Sequence, residues 1–373
     1  MLGHKQIPGR SGGVEVVTEE LSKRLIKLGH DVTCYNRSTK NQKKEFYHEG
    51  IRVIPVKTIY KKGLAAITSS FFATKKAIKG DSDVIHFHAE GPSIWTKMAK
   101  KHSNKRIIVT IHGLDWQRAK WGGLATKVIK KGEENAVKYA DEIIVLSKNV
   151  QDYFKEKYDR KTIFIPNGVD KGILLKPDII KKEFGLDKDE YILYLSRIVP
   201  EKRLDLLIKA YKNLNTDKKL VIAGTPGDTD EFYREVKELA KDDKNIIFTG
   251  FVSGNLLKEL YSNALCYVLP SDLEGMALTL LEALSYGNKC VVSSIKENTE
   301  VVEDMALVFE QGNQNDLEKK LKLIIDNKDK LGTRKDIIKF ITTKYNWDKV
   351  VEETLKLYTR GAKNEKDNNT KNK

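Results

Sequence analysis

The sequence predicts an α/β protein of two domains, each a doubly wound parallel sheet, facing each other across a cleft. Three observations predict it. The chain has 373 residues, against roughly 100–200 per domain. Short apolar runs alternate with amphipathic stretches along nearly its whole length, and the series occurs twice. The runs are near-continuously apolar, the mark of strands buried on both faces by helices. Ligands of such sheets bind at the C-terminal ends of the strands, so two facing edges make one shared site.

In the first half the strand-like runs are Asp31–Arg37, Ile51–Lys57, Asp83–His88, Arg106–His112, Glu142–Ser147 and Thr162–Pro166. Helical patterns lie between most of them, such as Val14–Leu28, stopped by Gly29. Only Met1 and Leu2 precede Gly3-His4-Lys5, so the strand that should lead into this helix is very short; the spacing predicts a first strand truncated at the chain start. The polar, glycine-containing segment from Pro166 to Asp170 is the boundary. Beyond it run Tyr191–Arg197, Lys219–Gly224, Asn245–Gly250, Cys266–Ser271, Lys289–Ser294 and Ala306–Glu310. The expected organisation is a first domain over 1–168, a second over 169–345, a C-terminal helix over 346–360 and a disordered tail over 361–373, which has no apolar residue after Ala362.

Composition excludes several classes. With 40% hydrophobic residues the chain builds cores, and no apolar run approaches the ~18–20 residues of a membrane-spanning helix. Cys34, Cys266 and Cys290 are too few and too scattered for a disulfide scaffold or a thiolate zinc site, and they fit a reducing cytoplasm. The net charge of +15 is one-sided: residues 1–170 hold 32 Lys/Arg against 18 Asp/Glu. Ile51–Gly80, Gly91–Leu114 and Trp116–Gly132 contain no acid at all. Such a surface suits a nucleic acid, an anionic membrane or an anionic substrate, and equally a solvated lysine-rich face.

Several residues sit where chemistry is done. Gly12-Gly13 precedes the first helix, where glycines let backbone N–H groups approach an anion; an ordinary loop pair reads the same. Arg197 ends a strand and Lys202 opens the next helix, a guanidinium and an ammonium suited to a diphosphate. Glu274 and Glu282 flank the start of a helix after Cys266–Ser271; eight helical residues rise ~12 Å, too far for the paired carboxyls of a glycosidase. They would contact different parts of one extended ligand. His86, His88 and His112 lie near strand ends, and the first two are spaced to share a strand face as metal ligands, although no Cys or H-E-x-x-H helix accompanies them. Asp228-Thr229-Asp230 reads either as a metal-binding D-x-D or as acids at a helix N-terminus.

Taken in order, Gly12-Gly13, His112, Ile165-Pro166-Asn167-Gly168-Val169-Asp170, Arg197…Lys202, Glu274-x7-Glu282-Ala283 and Tyr345-Asn346-Trp347-Asp348 resemble glycosyltransferase family 4, over about residues 3–360. The resemblance implies a retaining enzyme of the GT-B architecture. It also implies roles: Arg197 and Lys202 clamp the donor diphosphate, Glu274 contacts the donor sugar and Glu282 the ribose. Main-chain N–H groups near Ala277 and Leu278, with the Gly12-Gly13 loop, touch the distal phosphate. Phe251 lies beside the base and His112 near the reacting sugar carbon. The sequence departs from the commonest family pattern at Met276-Ala277, where many members have Phe-Gly, and at Arg203, where glycine is usual.

With two cations at the diphosphate no metal or other cofactor is expected. The donor is a nucleotide-sugar, UDP-linked by preference. The acceptor is a lipid-linked or oligosaccharide glycan of a surface polysaccharide such as a capsule. The first domain is expected on the inner face of an anionic membrane through the lysines of Lys57–Gly80, whose Leu64, Ile67 and Phe71 share one helical face that either inserts at the headgroup boundary or, for at least part of it, packs on the sheet. A nucleotide-sugar epimerase of the same architecture is the enzyme alternative. A nucleic-acid binder would use the basic half, but no RNP, KH or zinc module is present and the Glu274 segment would go unexplained, so no nucleic acid is expected.

Overall fold

The computed structural model describes residues 1–10, 12–38, 44–61, 63–118, 121–227 and 230–359. Lys62, Asp228, Thr229 and the tail 361–373 lie outside the described residues, so the D-x-D reading and the tail are not addressed further. The chain forms two compact units, the first built mainly from Met1–Gly168 with a return at Trp347, the second from Val169–Asn346.

The first unit contains β1 (Thr33–Arg37), β2 (Phe46–His48), β3 (Ile51–Val56), β4 (Val84–His88), β5 (Arg106–Ile111), β6 (Glu142–Val145) and β7 (Ile163–Phe164). Its helices are α1 (Gly13–Lys27), α2 (Leu64–Lys79), α3 (Thr96–His102), α4 (Gly123–Tyr139) and α5 (Lys148–Tyr158). The order is β1-β3-β2 on one side and β4-β5-β6-β7 on the other. Met1 and Leu2 fill the place between: Tyr35 donates to the Met1 carbonyl at 3.1 Å, Leu2 donates to His86 at 3.0 Å, and His88 donates back to Leu2 at 2.9 Å. The leading strand is thus a single parallel bridge, Leu2 to Phe87. Both residues are fully buried in the core with Ile85, Ile107 and Val109.

Two local expectations are corrected. The unit is not wholly parallel, because β2 pairs antiparallel with β3. Glu49 and Gly50, both at positive φ (48° and 81°), make the tight hairpin between them, and three residues were too short a run to read as a strand. Helix α2 packs a face of small residues inward, burying Ser70, Ala73, Thr74 and Ala77. Phe72 and Ile78 pack against the same core, while Phe71 stands over Trp95 at 4.8 Å between ring centres and Leu64 is 43% exposed.

The second unit holds α6 (Ile179–Phe184), β8 (Tyr191–Leu195), α7 (Leu204–Asn213), β9 (Lys219–Ala223), α8 (Asp230–Ala240), β10 (Ile246–Gly250), α9 (Gly254–Asn263), β11 (Cys266–Leu269), α10 (Leu278–Ser285), β12 (Lys289–Ser293), α11 (Lys296–Val302), β13 (Leu307–Phe309), α12 (Gln314–Ile325) and α13 (Arg334–Lys344). Its six strands are all parallel, in the order β10-β9-β8-β11-β12-β13. The chain winds outward from β8, then crosses to β11 and winds the other way. The C-terminal ends of β8 and β11 therefore form the switch point, where open α/β sheets bind ligands.

The final helix, α14 (Trp347–Thr359), belongs to the first unit. It packs on α1 and β5: Arg24 lies 4.8 Å over the Trp347 ring, and Tyr358 hydroxyl meets His86 Nδ1 at 2.6 Å. Gly168 makes this seat possible. A Cβ there would stand 2.4 Å from Trp347 Cδ2 and 2.9 Å from its Cα. Because one of those atoms is backbone, the clash is not relieved by a rotamer change. Gly168→Ala is expected to destabilise the protein by about 1–3 kcal/mol, read as a lower urea midpoint at unchanged slope.

Candidate active site

At the switch point of the second unit, Arg197 leaves two residues after β8. Lys202 closes a short 3-10 turn, Pro200–Lys202, rather than standing in the first turn of α7. Arg203 follows at φ +50°, a left-handed conformation that explains why a glycine suits this place. Here the arginine is held by two carboxylates, Asp205 at 3.2 Å and Asp272 at 2.8 Å. Asp272 in turn accepts from Gln311 and donates its N–H to Glu201. Arg203 thus ties the lysine turn to the loop after β11, which carries Glu274.

Glu274 lies in that loop, four residues before α10, so the helical rise expected between the two glutamates applies only to part of their separation. Its Oε1 accepts from Lys202 Nζ, with the two side chains 7% and 11% exposed. Burial pulls the Lys202 ammonium below the usual lysine range, and the Glu274 charge opposes that pull. Arg197 adds its positive field to the same lysine. Ala277 is the N-cap of α10 and supplies no side-chain cap, so the first N–H groups of that helix, Leu278 included, are open to an acceptor. One turn on, Glu282 accepts from Tyr261 hydroxyl at 3.0 Å. Phe251 follows Gly250 at the end of β10 and is 58% exposed. The structure therefore brings Lys202 and Glu274 into direct contact within the field of Arg197, and places Glu282 on the helix that begins beside them.

In the first unit Gly12 is the N-cap of α1, extended and without a side-chain cap, and Gly13 is its first helical residue. A carboxylate already stands there: Glu15 Oε2 lies 2.8 Å from where a Gly12 Cβ would be, and Glu15 Oε1 accepts from the Lys5 N–H at 2.8 Å. His112 follows β5, and its Nε2 meets His88 Nδ1 at 3.1 Å. Burial pushes both His86 and His88 well below the usual histidine range, so both are neutral at pH 7. The shared-face metal reading of His86 and His88 fails. His86 spends both ring nitrogens, one on Tyr358 and the other on Thr110 Oγ1 at 2.7 Å. Among the described residues, the group of three possible metal ligands is Glu19, His48 and Glu49, and Lys23 already bridges both of its carboxylates at 2.7 and 2.8 Å.

Sequence reasoning missed a carboxyl pair in this unit. Glu90 and Glu133 are both fully buried and hydrogen-bonded to each other. Glu133 also accepts from Trp116 Nε1 at 3.1 Å, Tyr153 hydroxyl at 2.8 Å and Lys157 at 2.9 Å. Glu90 accepts from the Asp115 N–H at 2.8 Å. Desolvation first, then the bond to Glu133, lifts the Glu90 carboxyl well above its ordinary range, while the donors around Glu133 hold that group low. Both shifts favour the proton on Glu90 and the charge on Glu133. Nothing in the local sequence marks either residue, since each lies in a stretch typical of a solvated helix or loop.

Comparison with known proteins gives a consistent picture. The family model described as Glycosyltransferase Family 4 matches residues 11–172, and that described as Glycosyl transferases group 1 matches residues 176–357. An uncharacterized glycosyltransferase of Methanocaldococcus jannaschii is 25% identical over 93% of this chain and 94% of its own. The UDP-Gal:alpha-D-GlcNAc-diphosphoundecaprenol alpha-1,3-galactosyltransferase of Escherichia coli is 26% identical over 81% of each chain. Among solved structures, sucrose-phosphate synthase from Thermosynechococcus elongatus superposes with a TM-score of 0.83 at 20% identity, covering 94% of this chain and 93% of that one.

Proposed function

Since the chain belongs to glycosyltransferase family 4 and has the GT-B fold, we propose that it transfers a sugar, with retention and without a metal, from a UDP-sugar to a lipid-linked acceptor. The observation that carries this reading is the Lys202–Glu274 pair at the switch point of the second unit, beside Arg197 and the uncapped start of α10. Breaking the bond between the sugar and the diphosphate builds negative charge on the leaving phosphate. Two cations and the free N–H groups of a helix stabilise that charge where it develops. Lys202 leaves Glu274 for the phosphate, and the carboxylate is released to accept hydrogen bonds from sugar hydroxyls. The acceptor hydroxyl attacks from the face the phosphate leaves, and its proton passes to a phosphate oxygen. Glu282 and Phe251 hold the nucleoside.

The lipid-linked acceptor is supported by the relative from Escherichia coli, whose name gives it a diphosphoundecaprenol-linked one. It is supported too by the basic, acid-free stretches of the first unit. Among the described residues no helix is long and apolar enough to cross a membrane, so the reading requires docking through charge.

Two measurements test this. Transfer is expected to persist in EDTA; full loss restored by Mg²⁺ or Mn²⁺ overturns the metal-free mechanism. With donor alone, no epimerised sugar, free or nucleotide-linked, should form, and its formation would establish the epimerase instead. Docking is tested by co-sedimentation with vesicles. Each engaged lysine contributes about 1 kcal/mol at an anionic surface, screened over ~8 Å at physiological ionic strength. Anionic vesicles are expected to bind at low salt and neutral ones not; equal binding to both, or to neither, overturns the membrane location.

A further inference from the structure

We propose that a pocket at the switch point of the first unit binds the phosphate and the adjoining apolar segment of the acceptor lipid, with Arg37 as its anion-binding group. This rests on the transferase reading above and adds where that unit holds the acceptor beyond its sugar. The sheet order reverses between the Met1-Leu2 bridge and β4, and the pocket lies over that reversal. Gly3, Ala89 and Gly91 line it where those segments end. Its cavity holds about 140 Å³ and opens to solvent between the N-terminal turns of α2 and α4.

The lining decides the ligand class. Its walls are Ile67, Ala125, Val128 and Ile129, and the charged side chains among its lining are Arg37 and Asp115. A sugar ring carries several hydroxyls that each need a partner when buried, and these walls do not supply them. A hydrocarbon needs none. Apolar surface continues past the mouth: Leu64, next to Gly63 of the lining, is 43% exposed, and Leu124, next to Ala125, is 81% exposed.

Arg37 gives the anion. It ends β1, its Nε is buried without a hydrogen-bond partner, and no carboxylate among the described residues stands within ion-pair distance of its guanidinium. A half-buried cation in that state lacks the partner its desolvation calls for, and a phosphate accepts from a guanidinium in two-pronged fashion. The flanking stretches 51–80 and 116–132 carry no acid to compete. An arginine without an ion-pair partner beside an apolar wall matches a lipid phosphate better than a free anion, with Asp115 elsewhere on the same lining.

The test is calorimetric titration of the full chain with farnesyl phosphate, farnesol and inorganic phosphate, with UDP titrated in parallel. Farnesyl phosphate is expected to bind at least tenfold more tightly than either of the others. Arg37→Gln should remove its advantage over farnesol, and Ala125→Trp, which fills the pocket, should weaken it at least tenfold; UDP should bind both variants as it binds the wild type. Unaltered UDP binding also certifies that each variant is folded, and Arg37→Gln decides the matter if Ala125→Trp does not fold. Farnesyl phosphate binding no more tightly than inorganic phosphate, or binding Arg37→Gln as it binds the wild type, overturns the proposal. A wild type that binds farnesyl phosphate but not UDP would refute the UDP-donor reading while leaving the pocket assignment standing.

Discussion

Lys202→Ala is expected to abolish most transfer activity, and to do so mainly through the donor. A charge-assisted contact to phosphate is worth about 1.5–3 kcal/mol, so kcat/KM should fall by roughly 10- to 150-fold, with UDP affinity falling alongside. The same change leaves the Glu274 carboxylate, 7% exposed, without its ammonium. Removing one partner of a buried pair costs about 3–5 kcal/mol, so part of any loss could be structural. The double variant Lys202→Ala/Glu274→Gln separates the two: it should recover the melting temperature and not the activity. Recovery of both would mean that the pair is structural only. The ionisation of Lys202 adds a pH signature. Burial lowers its pKa from the ordinary lysine value, so on the alkaline side kcat/KM should decline before the pH of about 10.4 at which an exposed lysine titrates.

Glu90→Ala should destabilise the first unit. It removes the buried acceptor of the Asp115 N–H, while Glu133 keeps Trp116, Tyr153 and Lys157 as donors. At about 1–3 kcal/mol for the orphaned N–H, the melting temperature should drop by roughly 2–12 °C. Glu90→Gln keeps an oxygen for Asp115 and an N–H for Glu133, and should stay near the wild type. The pH dependence differs between them in a defined direction. The Glu90 carboxyl is raised in the folded state, so the native form holds its proton while the unfolded chain releases it. Wild-type stability should therefore fall as pH rises from about 4.3, the unfolded value, toward the raised native value, and be flat beyond. Glu133, held low, acts only below that window. Glu90→Gln should flatten the slope, and a slope unchanged in Glu90→Gln would remove Glu90 as its source.

Most of the frame is legible without coordinates. Every one of the twelve runs read as strands is a strand, because a strand buried on both faces must be continuously apolar and a helix covering it cannot be. Arg197, Lys202 and Glu274 stand out for a related reason: charged residues directly after an apolar strand have nowhere to go but the rim. Arg37 carries that same signal, a cation ending a strand, but no second motif residue lies near it in the chain. The hairpin strand β2 and the carboxyl pair of Glu90 with Glu133 gave no such signal. Three residues hold too little pattern, and a glutamate in a helix reads as a solvated one whether or not its surroundings are dry.

The sequence by itself determined the fold, the family and which short segments carry charge to the strand ends, since periodicity and local order are properties of the chain alone. Only the tertiary structure decided the partners. Lys202 and Glu274, 72 residues apart, form a buried ion pair; Tyr358 reaches His86 across 272 residues; and burial, then the bond to Glu133, raises the Glu90 carboxyl. Burial and long-range contact set these ionisations, and neither is written in any local stretch of residues.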